Sequence, residues 1–215
     1  MIQILFNSLL LPRKLKKWLY KKYATQSLKG RPFTLLSSNC LGGQTCKEAG
    51  IPYNSPTVGL FLYPEDFYEL CRAPEYFFHA PLTFIKESKY PSAKKHLEEH
   101  HYPIGCLKGE IEIHFLHYKN EEEARTKWNR RVRRINWKNI LVITNDQNEF
   151  TPEMLSHFDQ IKYPKILLSA KELNHPDTVP LSYFKKEAHV GDTFSNRLKI
   201  IKDFDLVQWI VKNTP

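Results

Sequence analysis

The sequence predicts an α/β fold, a layered α/β/α body around a mixed, largely parallel sheet, with a basic amphipathic helix at its N-terminal side. Three observations carry this reading. Short apolar runs with strand character, such as residues 33–37, 139–144 and 165–169, alternate with stretches of helical period. Of the 215 residues 41% are hydrophobic and 26% charged, enough apolar material for a core without disulfides or metals. The net charge of +9 is lopsided: residues 1–31 hold eight cations and no acid, leaving 24 cations against 23 acids on the rest.

Taken in order, residues 1–11 are apolar but end at Pro12, about half the length needed to cross a bilayer. They lack a basic start and a small-residue cleavage site, so neither a secretory signal nor a span is expected. In residues 12–23, cations alternate with Leu15, Trp18, Leu19 and Tyr23, which share one side of a helix. A cationic helix with aromatic margins suits an anionic membrane surface, contacted through residues 13–31 from the cytoplasmic side. Docking on the body is the plainer alternative. Binding of a nucleic-acid backbone ranks behind both, because the cations are interleaved with large apolar residues. Residues 1–31 thus read as an arm and residues 32–215 as one α/β domain.

Within the body, residues 57–63 and 82–85 read as strands. Pro64 opens a helix with Glu65 and Asp66 in its first turn. Residues 102–107 and 110–118 form the best strand pair, joined at Lys108-Gly109. Asn120 caps a charged helix whose stripe is Ala124, Trp128, Val132 and Ile135. Helices are expected at 93–101, 152–161 and 203–211. The four cysteines, Cys40, Cys46, Cys71 and Cys106, have no zinc-site spacing, and free thiols are expected.

Five segments carry polar groups in chemically suggestive patterns. Ser38, Asn39, Cys40, Gly42 and Gly43 follow the first strand, where bare backbone could approach an anion and Cys40 could act as a nucleophile. A tight turn with a buried cysteine would use the same residues. Asn54, Ser55 and Thr57 could bind a ligand or cap their own turn. Glu112 and His114 share a strand face and suit acid–base work, whereas His117 falls on the other face unless the strand ends first. Arg130 and Arg131 lie in a cluster shaped for a diphosphate, or form a solvated helix end. Asn145 and Asp146 follow a buried strand, at the end where ligands of open α/β sheets gather.

Four motifs in order are the stretch 33–40 (FTLLSSNC) with Gly42 and Gly43, the stretch 53–60 (YNSPTVGL), the stretch 112–119 (EIHFLHYK) and the stretch 127–137 (KWNRRVRRINW). Together they resemble a bacterial family of unknown function, domain-of-unknown-function family nineteen-nineteen. Its members are often labelled exopolysaccharide or capsular polysaccharide biosynthesis proteins. Two positions depart from the pattern: Ser38 stands where asparagine is usual, and Leu41 where an aromatic is usual. The resemblance implies a layered α/β fold and a polysaccharide-related role, and assigns no catalytic residue or cofactor. It agrees with a transferase-like protein acting on a sugar nucleotide or lipid-linked glycan. A Cys/His hydrolase or acyl transferase built on Cys40, and a non-catalytic partner of a glycan-assembly complex, are the alternatives.

Overall fold

The structure, a computed structural model, describes residues 12–215; the apolar run at 1–11 lies outside the described residues. The fold is α/β. Four strands, β1 (Thr34–Ser37), β5 (Ile140–Asn145), β6 (Lys165–Ser169) and β7 (Thr178–Pro180), form an all-parallel sheet in the order β1-β5-β6-β7. The other three, β2 (Leu82–Ile85), β3 (Ile104–Leu107) and β4 (Ile111–His114), form an antiparallel sheet. The sequence's mixture of strand directions is therefore distributed over two sheets. The second sheet is inserted in the connection from β1 to β5.

Alternation along the parallel strands gives two apolar faces. Leu35, Leu141, Ile143, Ile166 and Leu168 pack with Tyr20, Ala24 and Leu28 of α1 (Arg13–Leu28) and with Val207 and Ile210 of α9 (Leu206–Lys212). Leu36, Val142 and Leu167 face the other way, toward Tyr68 of α3 (Pro64–Arg72), Phe115, Trp128 of α6 (Glu121–Val132) and Phe158 of α7 (Leu155–Asp159). Along the chain α4 (Pro74–Phe78) precedes β2, α5 (Pro91–Glu99) lies between β2 and β3, and α8 (Arg197–Ile200) precedes α9.

Several elements follow from local chemistry. Lys108 and Gly109 both have positive φ (57° and 75°), the tight hairpin turn expected between β3 and β4. Asn120 accepts from the Glu123 N–H at 2.9 Å and starts α6, whose Ala124 and Trp128 are buried. Asp205 caps α9 by accepting from Val207 N and Gln208 N.

Two expectations are corrected. Residues 57–63 are not a strand: Gly59 turns the chain at φ +75°, and the Val58 carbonyl accepts from Arg131 and from the Tyr118 hydroxyl. Phe61 bridges to His114 as an isolated pair. The buried stripe of α1 is also rotated from Leu15, Trp18, Leu19 and Tyr23. Tyr20, Ala24 and Leu28 are buried, while Trp18 is 56% and Leu15 39% exposed. Among the described residues no helix is long and apolar enough to cross a membrane.

Candidate functional site

The carboxyl ends of β1 and β5 lie side by side because their registers pair Ser37 with Ile143. Beyond them the chain leaves β1 through Ser38 and Asn39 and enters α2 (Cys40–Ala49) at once. Asn39 caps this helix, its side-chain oxygen accepting from Leu41 N at 2.9 Å. Gly42 lets α2 press against β1 and Gly43 lets it press against the 57–59 turn: a Cβ at Gly42 would stand 2.8 Å from Ser37 Cβ, and one at Gly43 2.9 Å from Val58 Cγ1. The glycine pair therefore serves close packing first. Of the two, Gly43 reaches the site lining.

A groove runs over these strand ends in two compartments of about 530 and 490 Å³, both walled by Asn39, Cys40, His117 and Gln147. The first continues along Gln44, Lys47, Tyr53 and the 191–194 loop to Phe194. The second continues along Phe61, Tyr63, Ser92, His96 and Glu149, and also takes in Ser38. At their junction Cys40 Sγ lies 3.9 Å from His117 Nε2. This pairing exists because β4 ends at His114 and the chain turns, so strand alternation does not govern His117. Burial raises the Cys40 thiol pKa, and the Asp192 carboxylate adds to the shift, so the resting group is the neutral thiol. Cys46, Cys71 and Cys106 are buried and away from the groove lining.

Not every residue singled out by sequence arrives there. Glu112 and His114 are 4% and 0% exposed and line neither compartment. Glu112 accepts from Ser88 Oγ at 2.7 Å and Lys89 N at 2.6 Å, closing the 86–90 loop onto β4. His114 stacks on Phe61 at 4.4 Å and meets the Tyr102 hydroxyl through Nδ1 at 3.2 Å. Of the two histidines His114 and His117, only His117 comes beside Cys40.

Burial depresses the His114 pKa to about 4, with His96 adding repulsion. Glu112 lies 3.7 Å from His114 Nε2, but its oxygens are held by the loop and desolvation dominates. A folded pKa below the unfolded value of about 6.5 means that only the unfolded chain gains a proton as pH falls from there toward 4. The contribution of His114 to stability should be complete above about pH 6.5 and decline by on the order of 3 kcal/mol down to about pH 4. Denaturant unfolding across that window checks this, and His114→Phe should flatten the slope.

Asn54, Ser55 and Thr57 show turn chemistry. Asn54 donates to the Phe33 carbonyl, and Thr57 Oγ1 accepts from Ser37 N at 3.0 Å and contacts Ser55 Oγ at 2.9 Å. Arg131 is buried, donating to the Val58 carbonyl at 2.7 Å and to the Tyr118 hydroxyl, whereas Arg130 is exposed. Neither lines the groove. Asn145 is buried and bonded to Gln147. Asp146 is a brace, accepting from Ser169 Oγ at 2.9 Å, Ala170 N at 2.7 Å and Val190 N at 2.6 Å.

Sequence reasoning misses Gln147, Asp192, Phe194, Tyr63 and His96. Gln147 has a usable signal, since it sits two residues beyond a strand end that is itself a candidate. The others need the topology, which brings residues 191–194 across from beyond β7. A larger cavity of about 740 Å³ lies between α3, β4 and α7. Its buried carboxylate, Asp66, is already engaged by Lys89 Nζ at 2.6 Å and Glu112 N at 2.8 Å, and Arg72 there is paired with Glu69. The groove, with its facing thiol and imidazole, is the better candidate.

The fold and groove define an α/β protein with a cleft at the carboxyl ends of its parallel strands. The chain belongs to the family Domain of unknown function (DUF1919), whose model matches residues 12–211. A Haemophilus influenzae relative, named an uncharacterized protein, is 30% identical over 204 residues, covering 91% of this chain and 92% of that one.

Proposed function

We propose that the groove binds a phosphorylated saccharide, a sugar nucleotide or a lipid-linked glycan, and that the chain acts as a transferase-like protein in bacterial cell-surface polysaccharide assembly. The observation that carries the reading is the meeting of Asn39, Cys40, His117 and Gln147 over the ends of β1 and β5. Carboxyl ends of parallel strands are where open α/β sheets hold ligands. Amide and imidazole groups beside the rings of Tyr53, Phe61, Tyr63 and Phe194 offer the few polar contacts and flat apolar walls that a sugar ring uses. In this reading His117, exposed at the junction, takes the proton of an acceptor hydroxyl.

The outward face of α1 supports a place on the anionic inner surface of the membrane. It presents Leu15 and Trp18 to solvent, with Lys22 Nζ 5.4 Å from the Trp18 ring centre. Several cations beside an exposed tryptophan suit a headgroup layer.

The Cys40–His117 distance of 3.9 Å favours a second reading, acyl transfer or hydrolysis with Cys40 as nucleophile. His117 would take the thiol proton as Sγ attacks the acyl carbonyl and return it to the alcohol or amine that leaves as the acyl–oxygen or acyl–nitrogen bond breaks. Cys40→Ser separates the two: the first reading predicts retained turnover, the second its loss.

Selective alkylation tests the ligand site. Iodoacetamide should modify Cys40 before the three buried thiols. The reaction should rise only well into alkaline pH, because the attacking thiolate is disfavoured. UDP-glucose or a polyprenyl phosphate in the groove should slow labelling at least tenfold. Unchanged labelling with a panel of such ligands contradicts the reading.

A further inference from the structure

One end of the groove adjoins a cationic recess, to which α1 contributes Arg13 and Lys17. A third cavity of about 260 Å³ is lined by Arg13, Lys17, Gln44, Glu48, Phe194 and Arg197, among others. It shares Gln44 and Phe194 with the compartment that contains Cys40 and Lys47. Arg13 is tied to the opposite wall by a 3.4 Å hydrogen bond to the Ser195 carbonyl. Arg197 is only 5% exposed, paired with Glu48 and lying over the Tyr20 ring at 4.5 Å.

Counting Lys47, four cations face two carboxylates here, Glu48 and Asp192. Glu48 is matched by Arg197, and the Asp192 carboxylate accepts from the N–H groups of Phe194 at 2.8 Å and Ser195 at 3.1 Å. Arg13, Lys17 and Lys47 are exposed, and no ion pair among the described residues engages them. A partly enclosed recess with an unbalanced positive charge concentrates field on an anion. The Arg13 guanidinium fork and the Lys17 ammonium in one recess match phosphate oxygens.

We propose that the first turns of α1 complete the groove, Arg13 and Lys17 binding the phosphate or diphosphate of a ligand whose remainder lies along Cys40 and His117. This names the anion-recognising end of the site in the reading above and rests on that reading only for the rest of the ligand. It also gives the basic helix two separate tasks. Leu15 and Trp18 point outward, while Arg13 and Lys17 share the side that carries buried Tyr20 and Ala24.

Calorimetric titration of the full chain with inorganic pyrophosphate tests the proposal. R13A/K17A should weaken binding at least about tenfold, the size expected for losing one or two charge-assisted contacts. The charge-matched control K14A/K22A changes two exposed cations of the same helix that do not line the cavity, and should bind within about twofold of wild type. Equal weakening by both pairs would mean bulk electrostatics, and absence of binding to the wild type would mean no site; either overturns the proposal. R13K/K17R, which keeps both charges, should bind and guards against loss through misfolding.

The source of the phosphate follows from two further arms. Tighter binding of UDP-glucose than pyrophosphate points to a soluble nucleotide. Stronger capture by phosphatidylcholine vesicles carrying polyprenyl diphosphate than by plain ones points to a lipid carrier. If pyrophosphate binding depends on Arg13 and Lys17 while Cys40 is never protected by saccharide ligands, the groove reading fails and the anion site stands. If protection of Cys40 survives R13A/K17A undiminished, the groove reading stands and the anion site falls.

Discussion

Replacing Asp146 by alanine should destabilise the protein by about 4 kcal/mol, one of the two largest effects expected from a single polar side chain. The carboxylate is 9% exposed and accepts three hydrogen bonds, from Ser169 Oγ, Ala170 N and Val190 N. Bonds to an ionised acceptor contribute about 1.5–3 kcal/mol each, and here two of the donors are backbone groups with no other acceptor supplied by the truncation. The loss should appear as a shifted denaturation midpoint and a melting temperature lower by about 10 °C for a chain of this size. The geometry predicts a second consequence. Val190 leads directly into Gly191 and Asp192, which wall the groove, so ligand binding should fall in Asp146→Ala even where the protein is folded. Asp146→Asn keeps the shape and should lose about half as much stability, because the amide can still accept from one side.

Arg131→Ala should also cost about 4 kcal/mol, whereas Arg130→Ala should leave stability unchanged within measurement. The two are neighbours in sequence, but Arg131 is 6% exposed and Arg130 faces solvent. Arg131 donates to the Val58 carbonyl and the Tyr118 hydroxyl, and its guanidinium lies over the Tyr53 and Tyr118 rings at 5.4 and 5.8 Å. Removing it takes away one of the two donors to the Val58 carbonyl, in a turn that lines the groove, and opens space beside two rings. Arg131→Lys should recover only part of the loss, since an ammonium cannot span the same acceptors and stack. Equal destabilisation by the two alanine variants would contradict the structural role given to Arg131.

The elements legible in the sequence are those whose local chemistry and tertiary fate agree. Lys165–Ser169 is readable as a buried strand, and Lys108-Gly109 as a hairpin turn, because each signal is complete within a few residues. Residues 57–63 mislead because their apolar pattern is that of a strand, while the Val58 carbonyl goes to Arg131 and Tyr118, which lie far along the chain. The division of strands between two sheets is likewise set by long-range pairing that periodicity does not encode.

For the site, Asn39 and Cys40 are legible from their place between a strand and a helix. Strand alternation favours His114 over His117, and the strand stops at the one place where that reasoning fails. The strand-end rule finds Asp146, which proves to brace the wall, with Gln147 beside it facing the cleft. The arginine cluster has the composition of a diphosphate clamp but lies off the groove. Lys47 lines it instead, and Arg13 and Lys17 line the adjoining cavity, from the helix that reads in sequence as a basic arm.

The most direct measurement is a crystal structure of the full chain grown with UDP-glucose or a polyprenyl diphosphate analogue. The account predicts ligand density over the ends of β1 and β5, between Asn39 and Cys40 on one side and His117 and Gln147 on the other, with the phosphate toward Gln44 and Arg13. Density in the Asp66–Lys89 cavity between α3 and α7, with the cleft left to solvent, would contradict it.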